Sequence, residues 1–414
     1  MNIFDERYLD EFTQNDFYKL STKKYLLKKQ LEVKVIDNGV VLPPKSNDSK
    51  IVDKFNNSNL LIGKGGIVDA RGRYLNISSQ KAEGMKDRVV GAYNFDESEL
   101  RISEEKVIYL NYFIKQWGHF LLDVVGRLWY PLQQDSETKI AYTCFSGEDS
   151  KIEGNYLEFF NLLGIDESRL LLVNKPTQFK QVIVPESSIL PGSYYTSEYK
   201  EIFNKLVRNV KGRKPELKNR KIYCSRSKLQ VAKNKEFGES KIEKIFLNNG
   251  YSPIYPETMT LSDQIKALRS ADVVVMSSGS LAHNLLFIDR EIEVFILNKT
   301  YRMNLHQFLI NEISEAKVKF VDFYIAPLPV LYGYGPFLMD ITKSLRNFFD
   351  DNNFLYSPTS ILTSHDYRNF YKKWLWFYKK HIIKFSPIRE GDNEFEKSLK
   401  ELRRNYKLSK KDSR

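Results

Sequence analysis

The chain has little histidine and almost no cysteine. Its five His, at 119, 283, 306, 365 and 381, never fall in the H-E-x-x-H spacing of a zinc hydrolase helix. Cys144 and Cys224 belong to no Cys-x-x-Cys or Cys/His pattern, which disfavours a zinc site and suits a reducing compartment. There is no D-x-D, the oxygen-rich motif that can hold a divalent metal beside a nucleotide sugar. There is no G-x-S-x-G elbow, Walker loop, G-x-G-x-x-G or kinase motif set, so serine hydrolase and kinase readings are disfavoured. Long apolar runs are missing too. The longest uncharged stretch, Phe323–Met339, is interrupted by Pro327, Pro329, Gly333, Gly335 and Pro336, so a spanning helix is not expected there. The opening MNIFDERYLDEF is acidic and lacks the form of a secretory signal. The expectation is a cytoplasmic protein, peripheral at most on the inner face of the plasma membrane.

What is present is ordinary globular material. Of 414 residues, 42% are hydrophobic and 28% charged, enough for two or three domains. Lys and Arg total 64 against 52 Asp and Glu, a net of +12. Tyr367–Arg414 alone holds +9 of that, so the body is nearly neutral and a nucleic-acid-binding body is not expected. Within that segment Phe370, Trp374, Phe377, Tyr378, Ile382 and Phe385 fall near one helical face, with Lys372, Lys373, Lys379 and Lys380 mainly elsewhere. An aromatic face flanked by Lys suits insertion at an anionic membrane surface. The same pattern suits a helix packed back on the protein, or aromatic stacking on RNA. All three readings stay open on sequence alone.

The order of elements is that of open α/β sheets. After an irregular stretch with short strands such as LEVKVI and GVVL, VIYLNYF reads as a strand and GHFLLDVVGRLWYPL as a helix. KIAYTCF, NYLEFFNLLG, RLLLV and QVIVP continue the alternation. The charged stretch 211–220 is a boundary. A second series follows: KIYCSR, a helix stopped by Gly250, YSPIYPE, LSDQIKALRSA, the apolar DVVVMSS, a helix GSLAHNLLF and EVFIL. The fold expected is α/β, with two Rossmann-like lobes facing a cleft and a helical C-terminal tail. The segments are 1–215 (α/β from about 106), 216–340 and 341–414. Ligands of such sheets bind beyond the carboxyl ends of the strands.

Three constellations stand out. His119, Asp123 and Arg127 recur every four residues, so on one helix they share a face. A carboxylate one turn from an imidazole can orient it as a general base; equally, the three can form a surface ion-pair ladder. Ser278-Gly279-Ser280 links an apolar strand to a helix carrying His283 and Asn284 in its first turn. Such a junction offers backbone N–H groups and hydroxyls to an anion, or is simply a Ser N-cap. Ser225-Arg226 ends the first strand of the second series, where a cation can meet a phosphate or stay at the surface.

In this order the three sets resemble glycosyltransferase family 61, whose bacterial members include capsular polysaccharide biosynthesis proteins. The first motif resembles Asn111-Tyr112, then Gly118 to Asp123 and Arg127-Leu128. The second resembles Lys221 to Ser227, with Glu239 as the acidic residue opening a helix. The third resembles Pro256-Glu257, Leu261 to Ile265, Ala271 to Val275, Gly279-Ser280 and Asn284 to Phe287. The resemblance covers about residues 106–300. It departs at Ser278, where the family commonly has His; His283 is the residue that can replace it.

The resemblance implies a GT-B fold and an inverting transfer from a nucleotide sugar without metal or other cofactor. It implies His119 and Asp123 as catalytic, with Asn111 and Arg127 beside the substrate. Ser225, Arg226, Glu239, Ser278, Gly279, Ser280, His283 and Asn284 would lie around the donor. The partners implied are a nucleotide sugar and a glycan or lipid-linked oligosaccharide acceptor. The alternative is a non-catalytic nucleotide- or glycan-binding component of a polysaccharide assembly complex.

Overall fold

The computed structural model describes residues 2–46, 62–83, 87–134, 137–145, 151–210, 220–325 and 335–377, together with 400 and 404. The chain divides into two compact units. One comprises Lys24–Gly212 with Thr260–Ser262; the other comprises Met1–Lys23, Arg213–Met259 and Asp263–Arg414. We call them the 24–212 unit and the 213–414 unit. Both are α/β, one with a mixed sheet and one with a parallel sheet.

The sheet of the 24–212 unit runs Gly63–Val68, Val40–Ser46, Thr177–Pro185, Arg101–Tyr112, Lys139–Thr143, Leu170–Val173, with Val33–Asp37 also paired to Thr177–Pro185. The last four strands of that order are mutually parallel, and the pairings of the first strands are antiparallel. Arg101–Tyr112 shows how sequence sets depth. Its charged start, RISEEK, is largely exposed, and its apolar end, VIYLNY, is buried. One face of the sheet packs Val41, Ile67, Val107, Tyr109, Phe179 and Val182 into a core. The chain moves outward from Arg101–Tyr112 through the next two strands. It then returns to the other side of Arg101–Tyr112 with Thr177–Pro185. The strand order therefore reverses at the carboxyl end of Arg101–Tyr112, where α/β sheets open a crevice.

The 213–414 unit carries six parallel strands in the order Asn2–Ile3, Lys317–Asp322, Glu293–Asn298, Val273–Ser277, Lys221–Cys224, Ser252–Ile254. The chain starts at Lys221–Cys224, steps to Ser252–Ile254, then crosses back to Val273–Ser277. The reversal lies between Lys221–Cys224 and Val273–Ser277.

Two segments sit differently from the sequence expectation. Residues 2–23 belong with the 213–414 unit: Tyr8 is in its core, its hydroxyl donates to Asp351 at 2.7 Å, and the Asp10 N–H donates to Asp322 at 2.7 Å. Helix Lys343–Asp351 is no separate tail, because Leu345, Phe348 and Phe349 share one core with Tyr223, Phe246 and Phe295.

Helix Ser364–Phe377 settles part of the aromatic tail. Phe370 and Trp374 are buried against Leu338 and Phe237, and Lys373 donates to the Asn234 carbonyl at 2.6 Å. Over these residues the helix packs back on its own unit, and those two aromatics are withdrawn from any membrane. Tyr378, Lys379, Lys380, Ile382 and Phe385 lie outside the described residues. Among the described residues no helix is long and apolar enough to cross a membrane.

Gly238 fixes the start of helix Glu239–Asn248. Its φ is +99°, and a Cβ there would fall 2.1 Å from the Met339 carbonyl oxygen. Backbone strain and a backbone clash then act together. Gly238→Ala is expected to lose about 2–4 kcal/mol of stability, seen as a lower melting temperature of the purified protein. A melt unchanged within a degree would show that the backbone at Met339 yields freely.

Candidate active site

The expected single helix over Gly118–Leu132 is four short pieces. Trp117–His119 is one helical turn, Phe120–Val124 is a π-turn, and Val125–Arg127 is a 3-10 turn leading to helix Trp129–Gln133. π-turns of this kind widen the ladder locally and recur at functional sites. Aromatic packing holds the turn: Phe120 meets Phe113, Phe159 and Trp117 with ring centroids 5.1–6.1 Å apart.

His119 and Asp123 do meet, with Nδ1 and Oδ2 at 2.5 Å. The Asp123 side chain is buried, whereas that of His119 keeps 21% exposure. Arg88 approaches the same pair, its Nη2 at 3.4 Å from His119 Nδ1 and its Nε at 3.6 Å from Asp123 Oδ2. Nδ1 cannot both donate to Asp123 and accept from Arg88. The shorter contact decides: Nδ1–H donates to the carboxylate, so in the neutral ring the lone pair is on Nε2 at the opposite edge. Arg88 gives no periodic signal in the sequence and was not anticipated.

Arg127 does not join them. It is 1% exposed and donates to the carbonyls of Pro185 (2.8 Å), Leu110 (3.2 Å), Ile77 (2.5 Å) and Ser79 (3.2 Å), and to Asn111 Oδ1. Burial pushes its pKa down, and the Tyr109 ring lies 5.5 Å away. Asn111, also buried, donates to the Asp123 carbonyl at 3.0 Å, as Gln80 does at 2.9 Å. The side chains of Arg127 and Asn111 are thus both taken up by hydrogen bonds within the fold. They tie the turn that carries Asp123 to the ends of the strands, because a guanidinium supplies five N–H groups and can reach four strand and loop carbonyls at once.

In the 213–414 unit, Ser225-Arg226 and Ser278–Ser280 follow the two strands that flank the reversal point. Ser225 is buried, its hydroxyl donating to Glu243 at 2.8 Å. Glu239 Oε1 accepts the Arg226 N–H at 3.1 Å and the Tyr223 hydroxyl at 3.2 Å. Burial, with the Glu236 and Glu243 charges assisting, pushes Glu239 up to about 7. Ser225 and Glu239 thus shape the turn from within, and Arg226 leaves it half-buried.

The helix expected after Ser280 is a six-residue 3-10 helix, Ala282–Phe287. Its first N–H groups are spent on Gly279, Ser280 and Leu281 carbonyls at 2.9, 3.3 and 3.1 Å, so it offers no helix-end anion site. His283 and Asn284 are buried; Asn284 donates to Gln264 at 3.2 Å, and His283 Nε2 lies 3.4 Å from Asn304. What remains at that edge is Arg226, the half-buried Ser278 and Ser280, and Gly279 at φ +119°. Two charged residues missed by the sequence reading, Glu236 and Lys299, complete it. Among the described residues no three His, Cys, Asp or Glu side chains gather to hold a metal ion.

Residues 117–295 match the family model described as Glycosyltransferase 61. A search of curated proteins found no match. The matched stretch takes in His119, Asp123, Arg127, Arg226 and the Ser278–Asn284 segment, and leaves Asn111 and Lys299 just outside its two ends. Residues 117–295 are thus similar to glycosyltransferase 61, and the chain is a glycosyltransferase.

Proposed function

We propose an inverting, metal-independent enzyme that moves a sugar from a nucleotide-sugar donor to a glycan or lipid-linked oligosaccharide acceptor. Its setting is bacterial capsule or surface polysaccharide synthesis at the cytoplasmic face of the plasma membrane. The reading takes the units as the lobes of a GT-B fold, the 24–212 unit for the acceptor and the 213–414 unit for the donor. The observation that carries it is the 2.5 Å contact between His119 Nδ1 and buried Asp123 beyond a parallel strand. Asp123 holds the ring in the tautomer with Nε2 unprotonated, and Nε2 takes the proton of the acceptor hydroxyl. The oxygen attacks the anomeric carbon as the bond to the donor diphosphate breaks; one displacement inverts the centre. Arg226 and the Ser278 and Ser280 hydroxyls meet the negative charge that builds on the leaving diphosphate. The lack of a D-x-D motif agrees with a leaving group held by protein cations.

The test is a melting panel with UDP, GDP, dTDP and CMP, each with EDTA and with magnesium. At 100 times its dissociation constant a ligand adds about 2.7 kcal/mol. One nucleotide is expected to raise the melt by several degrees, equally in EDTA and magnesium, and not in Arg226→Ala. No shift with any nucleotide would overturn the donor site. The non-catalytic reading draws on Ser278, which stands where family members commonly have His. Slow donor hydrolysis by the purified protein would count against that reading.

A further inference from the structure

Glu236 is buried to 1% exposure in its side chain, yet ionised. Burial pushes its carboxyl up, and the charges of Lys299 and Arg226 outweigh that to bring it to about 2. Arg226 Nε lies 3.1 Å from each carboxylate oxygen, and Lys299 Nζ donates to Oε1 at 3.0 Å. Neutralising one carboxylate needs one cation, and here there are two. The grip on Arg226 is through Nε alone; among the described residues neither terminal nitrogen of its guanidinium makes a hydrogen bond.

The order of strands gives the two cations a purpose. Arg226 follows Lys221–Cys224 and Lys299 follows Glu293–Asn298, and the strand between them, Val273–Ser277, ends in the Ser278–Ser280 turn. The cations therefore stand on either side of that turn, at the carboxyl edge where such sheets take phosphates. Lys299 is tied to it: its N–H donates to Ser278 Oγ at 3.3 Å, and a Cβ on Gly279 would lie 3.7 Å from Nζ. The glycine places no side chain against Nζ on that side.

We propose that Lys299 is a phosphate-binding residue that, with Arg226, clamps the diphosphate of the donor, both cations being positioned by Glu236. This rests on the donor-site reading above. The surroundings of Lys299 are Glu236, Arg226, Lys235 and the face of Phe337 at 4.9 Å. Burial lowers its pKa to about 8, Arg226 and Lys235 add to the lowering, and Glu236 opposes it. An arriving phosphate favours the charged ammonium, so affinity is full below pH 8 and falls as pH rises beyond it.

Pyrophosphate, which has no base or sugar, is the probe. Calorimetric titrations compare Glu236→Gln with the pair Glu236→Gln/Lys299→Met, which differ only in the cation. Melting curves of both establish that they fold. The pair is expected to bind at least tenfold more weakly, and equal affinity overturns the clamp. In the wild-type background, Lys299→Arg is expected to remove the loss of affinity between pH 7 and 9.5, since guanidinium keeps its charge; a persisting loss removes Lys299 from the titration. If Arg226→Ala abolishes binding while the pair matches Glu236→Gln, the donor site stands and the role of Lys299 falls. If the wild type binds neither pyrophosphate nor any nucleoside diphosphate, the donor reading falls first and the clamp with it.

Discussion

Replacing His119 with alanine is expected to lower kcat/KM about 1,000-fold, or about 4 kcal/mol of transition-state stabilisation. Asp123→Asn is expected to lose 100-fold or more with little change in shape. The side chain of His119 is partly exposed and its ring contacts run to Asp123 and Arg88, so its removal leaves the aromatic anchor of Phe120 in place. Asp123→Asn keeps a carbonyl oxygen for Nδ1–H but removes the charge that favours the developing imidazolium. It also removes a negative charge beside Arg88, so melting curves must accompany the rates. The signature sought is a fall in kcat with a folded protein in both variants. Near wild-type transfer by both would sink the assignment of this pair, wherever the donor binds.

Arg127→Met is expected to act on stability instead. It would strip donors from the carbonyls of Pro185, Leu110, Ile77 and Ser79 and from Asn111. Each buried acceptor left without a partner costs about 1–3 kcal/mol, and shared relaxation keeps the total to about 3–5 kcal/mol. That corresponds to a melt lower by about 10 °C for a unit of this size. Arg127→Lys should recover only part of it, because an ammonium has three N–H groups and no fork. A melt unchanged in Arg127→Met, with KM for acceptor raised tenfold, would return Arg127 to the substrate.

The contrast between these residues shows what a sequence can carry. His119 and Asp123 are four apart on one turn, so their meeting is a local fact and spacing reveals it. Arg127 extends the same spacing, but the π-turn and 3-10 turn break the register, and the acceptors that pull it inward come from Ile77, Ser79 and Pro185, far along the chain. The apolar strands were legible because parallel strands covered on both faces read as continuous runs such as VVVM. The segment after Ser280 reads as a helix by composition, yet all six residues of Ala282–Phe287 are buried and only a tight 3-10 turn forms. Glu236 and Lys299 are 63 positions apart, and only the sheet order sets them on one edge.

Asn2 and Ile3 pair in register with Val318 and Lys319. On a ribosome adding about 5–20 residues per second, that partner strand emerges roughly 15 seconds to a minute after them. The 24–212 unit is continuous but for three residues and can close in the meantime. Tyr8 and Phe17 cannot: their partners Phe348, Phe308 and Phe320 are not yet made. Aromatics made early in this stretch are thus among the last to find cover, exposed through most of the chain's synthesis.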